Sequence, residues 1–183
     1  YDAGIEVTSL PGPAACITAL TLSGLSTRRF AFEAFLPPDK KERKAVLEEL
    51  KDETRTTVIY EAPHRLQKTL KELLEHLGNR NLTICRELTK KYEEAYRTTF
   101  AEALLRYETE APKGECVIVI EGKSIGELKA EQQKSWEEMS LEEHMELYLN
   151  QGIDRKEAMK LVAKDRGIAK RDVYRMLTEQ KES

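Results

Sequence analysis

The chain has 183 residues, with 30 Lys and Arg against 33 Asp and Glu, a formal net charge of −3, and 40% apolar content. That length supports one good core or two small ones, and the charge excludes a global basic field drawing in nucleic acid. No apolar run approaches the roughly 20 residues that span a bilayer, and no signal-peptide pattern is read; a cytoplasmic protein is expected from its three scattered thiols. Tyr1-Asp2-Ala3-Gly4 reads as a helix end and an αL glycine, as if a further N-terminal part preceded it. Ile5–Leu10 alternates apolar and polar residues and reads as a strand. Pro11-Gly12-Pro13 breaks it, and Ala14–Leu22 follows as a small, apolar, buried helix. Phe30–Leu36 is strand-like and stops at Pro37-Pro38. Asp39 then caps a helix to about Lys51, with Val46, Leu47 and Leu50 on its apolar face.

Thr56–Tyr60 is a β-branched strand, and Pro63 opens an amphipathic helix that Gly78 ends. Leu82–Cys85 is the next strand, followed by a short strand at Arg97–Phe100 and a helix at Ala101–Tyr107. Cys116–Ile120 is apolar throughout, as strands covered on both faces are. Strands and helices alternate, which predicts a three-layer α/β domain over 1–122. Residues 123–134 turn polar and read as a linker. Residues 135–183 show helical spacing and form a small all-α tail punctuated by Gly152 and Gly167. Cys16, Cys85 and Cys116 each sit in an apolar stretch without C-x-x-C spacing, which predicts reduced thiols rather than disulfides or a zinc site.

Four short motifs stand at the ends of these strands, where open α/β sheets bind ligands. Pro11-Gly12-Pro13-Ala14-Ala15 brings backbone close to something and offers helix N-terminal N–H groups, although a plain strand-to-helix turn needs the same residues. Glu61-Ala62-Pro63-His64-Arg65 sets an acid, an imidazole and a guanidinium at a helix start. His64 is suited to moving protons, and Arg65 to gripping phosphate at a position the helix dipole disfavours. The bland alternative for His64 is a capping or core histidine. Arg86-Glu87-Leu88-Thr89-Lys90 is a charged cluster after an apolar strand, either a site or an internal salt bridge. Lys113-Gly114-Glu115 precedes the last strand, where Gly114 permits close approach of a ligand or simply makes a turn. There is no G-x-G-x-x-G, Walker loop, nucleophile elbow or metal-ligand cluster. His76 and His144 fall on predicted helices and are expected to face solvent.

In the tail, Ala163, Gly167 and Val173 have the spacing of a helix-turn-helix, with Val162, Ile168 and Met176 at further apolar positions. Lys170, Arg171 and Arg175 are expected outward on the second helix, with Lys164 and Arg166 nearby. From Asp154 onward there are nine Lys and Arg against six Asp and Glu. The modest excess suits nucleic-acid phosphate, or merely a bundle for docking or dimerisation.

Taken in order, Leu10–Ala15, Phe32–Pro37, Tyr60–Arg65, Arg86–Lys90 and Lys113–Glu115 resemble the ribosomal RNA small subunit methyltransferase I family. That family has the tetrapyrrole-methylase-like (class III) methyltransferase fold. The tail, from Lys156-Glu157-Ala158 to Lys170–Tyr174, is similar to the family's C-terminal helical extension. The resemblance implies the C-terminal lobe of such an enzyme, a mixed sheet flanked by helices, with the first lobe preceding Tyr1. It implies methyl transfer from S-adenosylmethionine to the 2′-oxygen of a cytidine ribose in 16S rRNA near the decoding centre. A homodimer without metal is expected. The implied cofactor residues are Pro11, Gly12, Pro13, Ala14, Leu88, Gly114 and Glu115, although the family commonly has Ser at the place of Ala14. The implied RNA contacts are Arg65, Lys90, Lys164, Arg166, Lys170, Arg171 and Arg175. A ribose hydroxyl is a poor nucleophile, so a proton acceptor is expected among Glu61, His64 and Glu87. Two other classes fit parts of the pattern. One is a small-molecule methylase of the same fold, which has no use for the basic tail. The other is a non-enzymatic RNA-binding or dimerisation module.

Overall fold

The computed structural model describes residues 2–5 and 12–179. The strand expected at Ile5–Leu10 falls largely outside them, as does Pro11. The chain divides into two compact units, Tyr1–Lys123 and Ser124–Ser183.

In the first unit the elements run α1 (Ala15–Ser23), β1 (Phe30–Phe35), α2 (Lys40–Lys51), β2 (Thr56–Glu61), α3 (Pro63–Leu77), β3 (Asn81–Arg86), β4 (Glu94–Thr99), α4 (Phe100–Thr109) and β5 (Cys116–Ile120). The strands form one mixed sheet in the order β1-β2-β5-β3-β4. Among the described residues only β1 and β2 are parallel; β5 lies antiparallel between β2 and β3, and β4 is antiparallel to β3. All of β5 is buried, as its unbroken apolar run predicts. It is buried because it is central and covered on both faces, not because its neighbours are parallel.

Period-two alternation splits the sheet's side chains between two cores. Ile59, Ile84, Ile118 and Ile120 face Leu66, Leu70 and Leu73 of α3, Leu47 of α2 and Phe100 of α4. Val58, Cys85, Val117 and Val119 face Ala19 and Leu20 of α1. Local signals set the helix ends. The Asp39 carboxylate caps α2 by accepting from the N–H groups of Lys41 and Glu42. Thr99 and Glu102 form a capping box on α4. Gly24 ends α1 in the left-handed conformation, with the Arg97 guanidinium packed over it.

The second unit holds α5 (Ile125–Glu138), α6 (Leu141–Leu149), α7 (Arg155–Asp165) and α8 (Lys170–Glu179). The polar stretch read as a linker is therefore helical from Ile125 onward, started by a Ser124–Glu127 capping box. Polarity misled because none of α5's residues is buried. Leu141, Met145, Ala158, Val162, Ala163, Val173 and Leu177 form a separate core. Ala163 is buried, Gly167 turns with φ +65°, and Val173 is fully buried, as the helix-turn-helix spacing predicts. Leu177, not Met176, fills the next inward position; Met176 is exposed.

Candidate functional site

The sheet's α1 face bears a cavity of about 440 Å³ lined by Ala15, Tyr60, Glu87, Leu88, Lys90, Gly114, Glu115, Cys116 and Val117. That volume lies within the range of small-ligand sites. Two of the four sequence motifs thus converge on one place. The loop after β3 brings Glu87, Leu88 and Lys90, and the turn before β5 brings Gly114 and Glu115. Ala15 at the start of α1 adds the end of the first motif. Gly12, Pro13 and Ala14 lead into α1 as exposed backbone and do not line the cavity.

The loop after β3 is held in an unusual backbone. Glu87 and Thr89 have φ of 51° and 64°, left-handed values that non-glycine residues rarely adopt. Such strain is often found at functional sites. Glu93 supports the loop by accepting from the Thr89 N–H at 2.7 Å. Lys90 Nζ lies 3.0 Å from Glu87 Oε1. The Glu87 carboxylate rests directly over Gly114, where a Cβ would lie 2.1 Å from Oε1. Gly114 itself has φ +75°. The close approach that Gly114 allows is thus first to Glu87. The internal-salt-bridge reading of this motif also holds in part, since Arg86 pairs with Glu94. Arg106 reaches the other oxygen of Glu94 at 2.8 Å.

Tyr60 was not anticipated as a lining residue. Its hydroxyl accepts from the Cys16 N–H at 3.0 Å, which ties β2 to the first turn of α1. Val117 and Cys116 complete the wall. Burial pushes the Cys116 thiol up to about 11, so it stays protonated and acts as an apolar surface rather than a nucleophile.

The Glu61 motif is placed differently. Glu61 follows Tyr60 in β2 and so points to the opposite face of the sheet, 1% exposed. Its Oε1 accepts from the Ala62 N–H at 2.9 Å, and its Oε2 accepts from the Thr69 hydroxyl at 2.5 Å. Thr69 Oγ1 in turn accepts from Arg43 Nη2 at 2.7 Å, and Arg43 Nε donates to Glu72. Glu61 is therefore a buried carboxylate with both oxygens engaged, and it is not among the residues that line the cavity. The same group explains why Arg65 tolerates a helix N-terminus, because its Nε lies 3.7 Å from Glu61 Oε1. His64 is exposed on the first turn of α3 and does not line the cavity.

In the tail, Lys164, Arg171 and Arg175 are exposed and Lys170 is half-buried. Arg175 Nη2 lies 3.5 Å from Asp172 Oδ1. Arg166 departs from this set. It donates from Nη2 to the carbonyls of Met139 and Ser140, and from Nε to His144 Nδ1 at 3.2 Å. Its Nε and Nη2 are engaged inside the tail, unlike the exposed cations of α8. His144 is fully buried rather than solvent-facing, and stacks on Trp136 at 4.1 Å between ring centroids. Among the described residues no group of His, Cys, Asp and Glu is arranged to hold a metal ion, and no helix is long and apolar enough to cross a membrane.

Comparison with known proteins gives consistent matches. The family model for tetrapyrrole (corrin/porphyrin) methylases matches residues 1–104. A protein of Halalkalibacterium halodurans named ribosomal RNA small subunit methyltransferase I is 45% identical, over 97% of this chain and 61% of its own. The protein of that name from Bacillus subtilis is 44% identical, over 94% of this chain and 59% of its own. The chain thus spans about three fifths of the length of these relatives. Among solved structures, the cobalamin biosynthetic enzyme cobalt precorrin-4 methyltransferase covers 66% of this chain and 54% of its own with a TM-score of 0.47 and 17% identity.

Proposed function

Because the chain belongs to the tetrapyrrole methylase family, we propose that it serves methyl transfer from S-adenosylmethionine to RNA of the small ribosomal subunit. The acceptor we infer is the 2′-oxygen of a cytidine ribose in 16S rRNA, near the decoding centre, with the protein acting as a cytoplasmic homodimer. The observation that carries this reading is the convergence of the Glu87–Lys90 loop and the Gly114–Val117 segment on one cavity, in a chain whose relatives bear an rRNA methyltransferase name.

The donor set suits the cofactor. The carboxylates of Glu87 and Glu115 answer a cationic ligand, while Leu88, Val117 and the Tyr60 ring offer apolar walls for a purine. Leu88, Gly114 and Glu115 would hold it. When bound, S-adenosylmethionine supplies a methyl group made electrophilic by its sulfonium. The chain's own part is alignment, exclusion of water and handling of one proton. Of the three carboxylate and imidazole candidates, Glu87 alone lines the cavity, so Glu87 accepts the proton of the ribose hydroxyl. Lys90, bonded to Glu87 Oε1, keeps that carboxylate oriented and places a cation where an RNA phosphate can meet it.

The test is methyl transfer from labelled S-adenosylmethionine to small ribosomal subunits. Glu87→Gln should lower the rate by roughly 100-fold or more without shifting the thermal midpoint. Mass spectrometry should place the methyl on a cytidine ribose. Label in a corrin or porphyrin precursor and none in RNA would overturn the assignment.

A further inference from the structure

Strand β1, first in the sheet order among the described residues, carries an irregularity that the cavity does not require. Its register against β2 shifts between Phe32 and Ala34, and Ala34 sits at φ 51°. A bulge of this kind re-aims side chains, and a left-handed alanine stores strain that the surroundings must hold. In an even strand Phe32 and Phe35 would point to opposite faces. The bulge puts both on the face of Tyr60. Each ring meets Tyr60 edge-on, with centroids at 5.1 and 5.7 Å and interplanar angles of 71° and 65°. Yet Phe32 and Phe35 are still 46% and 51% exposed. Tyr60 is anchored behind them by the Cys16 N–H and also lines the cavity. The two rings therefore form a pre-ordered aromatic surface that continues the cavity wall.

The charge around this surface selects an occupant. Arg28 and Arg29 precede β1, and Lys40 and Lys41 open α2, all four exposed. Against them stand Glu33 within the strand and Asp39 and Glu42 beside the two lysines, with the Asp39 carboxylate engaged by the Lys41 and Glu42 N–H groups. The four cations outnumber these carboxylates, so a second copy laid on the patch brings a net like charge together, which disfavours that occupant. A polyanion with flat, unsaturated bases suits both the rings and the cations.

We propose that Phe32 and Phe35 form a stacking platform for an unpaired base of the RNA substrate, beside the cavity that receives the reacting ribose. This rests on RNA being the substrate. The platform is sequence-tolerant, because every base has a π-face. It holds the strand in place, while Lys90 and the cavity deal with the acceptor nucleotide.

The experiment compares the protein with the Phe32→Leu/Phe35→Leu variant, which keeps apolar packing on Tyr60. Each is titrated with a single-stranded oligoribonucleotide and with an abasic ribose-phosphate strand of equal length. We expect the variant to bind the oligoribonucleotide roughly tenfold or more weakly, to bind the abasic strand like the parent, and to melt at the parent's temperature. Phe35→Trp should restore or strengthen binding in the Phe32→Leu background. Equal affinity of parent and variant for the oligoribonucleotide overturns the platform and leaves the methyltransferase reading standing. So does a change from dimer to monomer in sedimentation, which would make a second copy the occupant. Absence of RNA binding by the parent overturns both.

Discussion

Glu61 illustrates how much depends on which face of a strand a side chain takes. Tyr60 and Glu61 are neighbours in sequence, and the first lines the cavity while the second is buried under α3. A buried carboxylate is tolerable only with partners, and Glu61 has the Thr69 hydroxyl, the Ala62 N–H and Arg65 nearby. The Thr69 hydroxyl is the link, since it donates to Glu61 and accepts from Arg43. Thr69→Val keeps the shape but leaves one oxygen of Glu61 and one nitrogen of Arg43 without that partner. We expect a loss of about 1–3 kcal/mol in urea unfolding, with S-adenosylmethionine affinity unchanged because the network lies on the far face. A fall in cofactor affinity without a fall in stability would return Glu61 to the site. The sequence marks Glu61 as unusual through its residue type at a strand end. It does not say which face, because that depends on which neighbouring strands and helices cover each side. Gly114 is a similar case. Its need for positive φ is legible beside Lys113 and Glu115, but its actual neighbour, Glu87, comes from a loop far away in sequence.

Elements are more legible than contacts, because each carries its own start and stop. Asp39 after two prolines, Pro63, and Gly78 bound α2 and α3 close to where they are found. The bulge at Ala34 leaves no such mark, since alanine is not a residue that signals left-handed backbone. Helix α5 is hidden for the opposite reason, having the capping box but no buried stripe to give it a period. Helix α6 carries a buried histidine whose helical position suggested exposure. His144 is fully buried, and Arg166, which has no lone pair to offer, donates to its Nδ1. Its Nε2 then donates to Asp165 Oδ2, which also accepts from the Tyr148 hydroxyl. Burial and then Arg166 push His144 below its ordinary value of 6.5, against the opposing pull of Asp165. The folded tail thus holds the neutral imidazole, and the unfolded chain takes up a proton first as pH falls. The stabilisation is complete above about pH 6.5 and is lost as pH drops below it toward the folded-state value. Trp136, the single tryptophan, stacks on His144 and reports this unit. We expect its fluorescence unfolding midpoint to fall from about pH 7 to about pH 5. In His144→Gln the midpoint should be lower at neutral pH and nearly flat over the same window. A parent midpoint that rises on acidification would contradict the neutral assignment.

At the scale of the whole molecule, the α/β unit and the helical unit have separate cores, and each carries its own chemistry. The cavity, with Glu87 and Lys90, belongs to the first. In the second, α8 exposes Arg171, Tyr174 and Arg175, at positions i, i+3 and i+4, which share one helix face. Val173 and Leu177 occupy the other side, in the core. Tyr174 is 63% exposed, so the face combines two guanidiniums with an aromatic ring, a composition suited to RNA. A net charge of −3 for the chain gives no sign of this face, on which Arg171 is exposed and Arg175 neighbours Asp172. If Lys170, Arg171 and Arg175 contact phosphates, each releases condensed counterions from the RNA. Replacing all three with Ala should weaken binding to single-stranded RNA and flatten the log–log salt dependence by roughly two, at about 0.7 per contact. Arg166→Ala should act differently, lowering the stability of the tail through the carbonyls of Met139 and Ser140 while leaving the salt slope of the folded protein intact. S-adenosylmethionine affinity should not change in the triple variant, because the cavity is built from residues of the first unit. RNA affinity and salt slope both equal to the parent's would make α8 a docking or dimerisation helix, and the RNA contacts would then have to come from Arg65, Lys90 and the cations around β1.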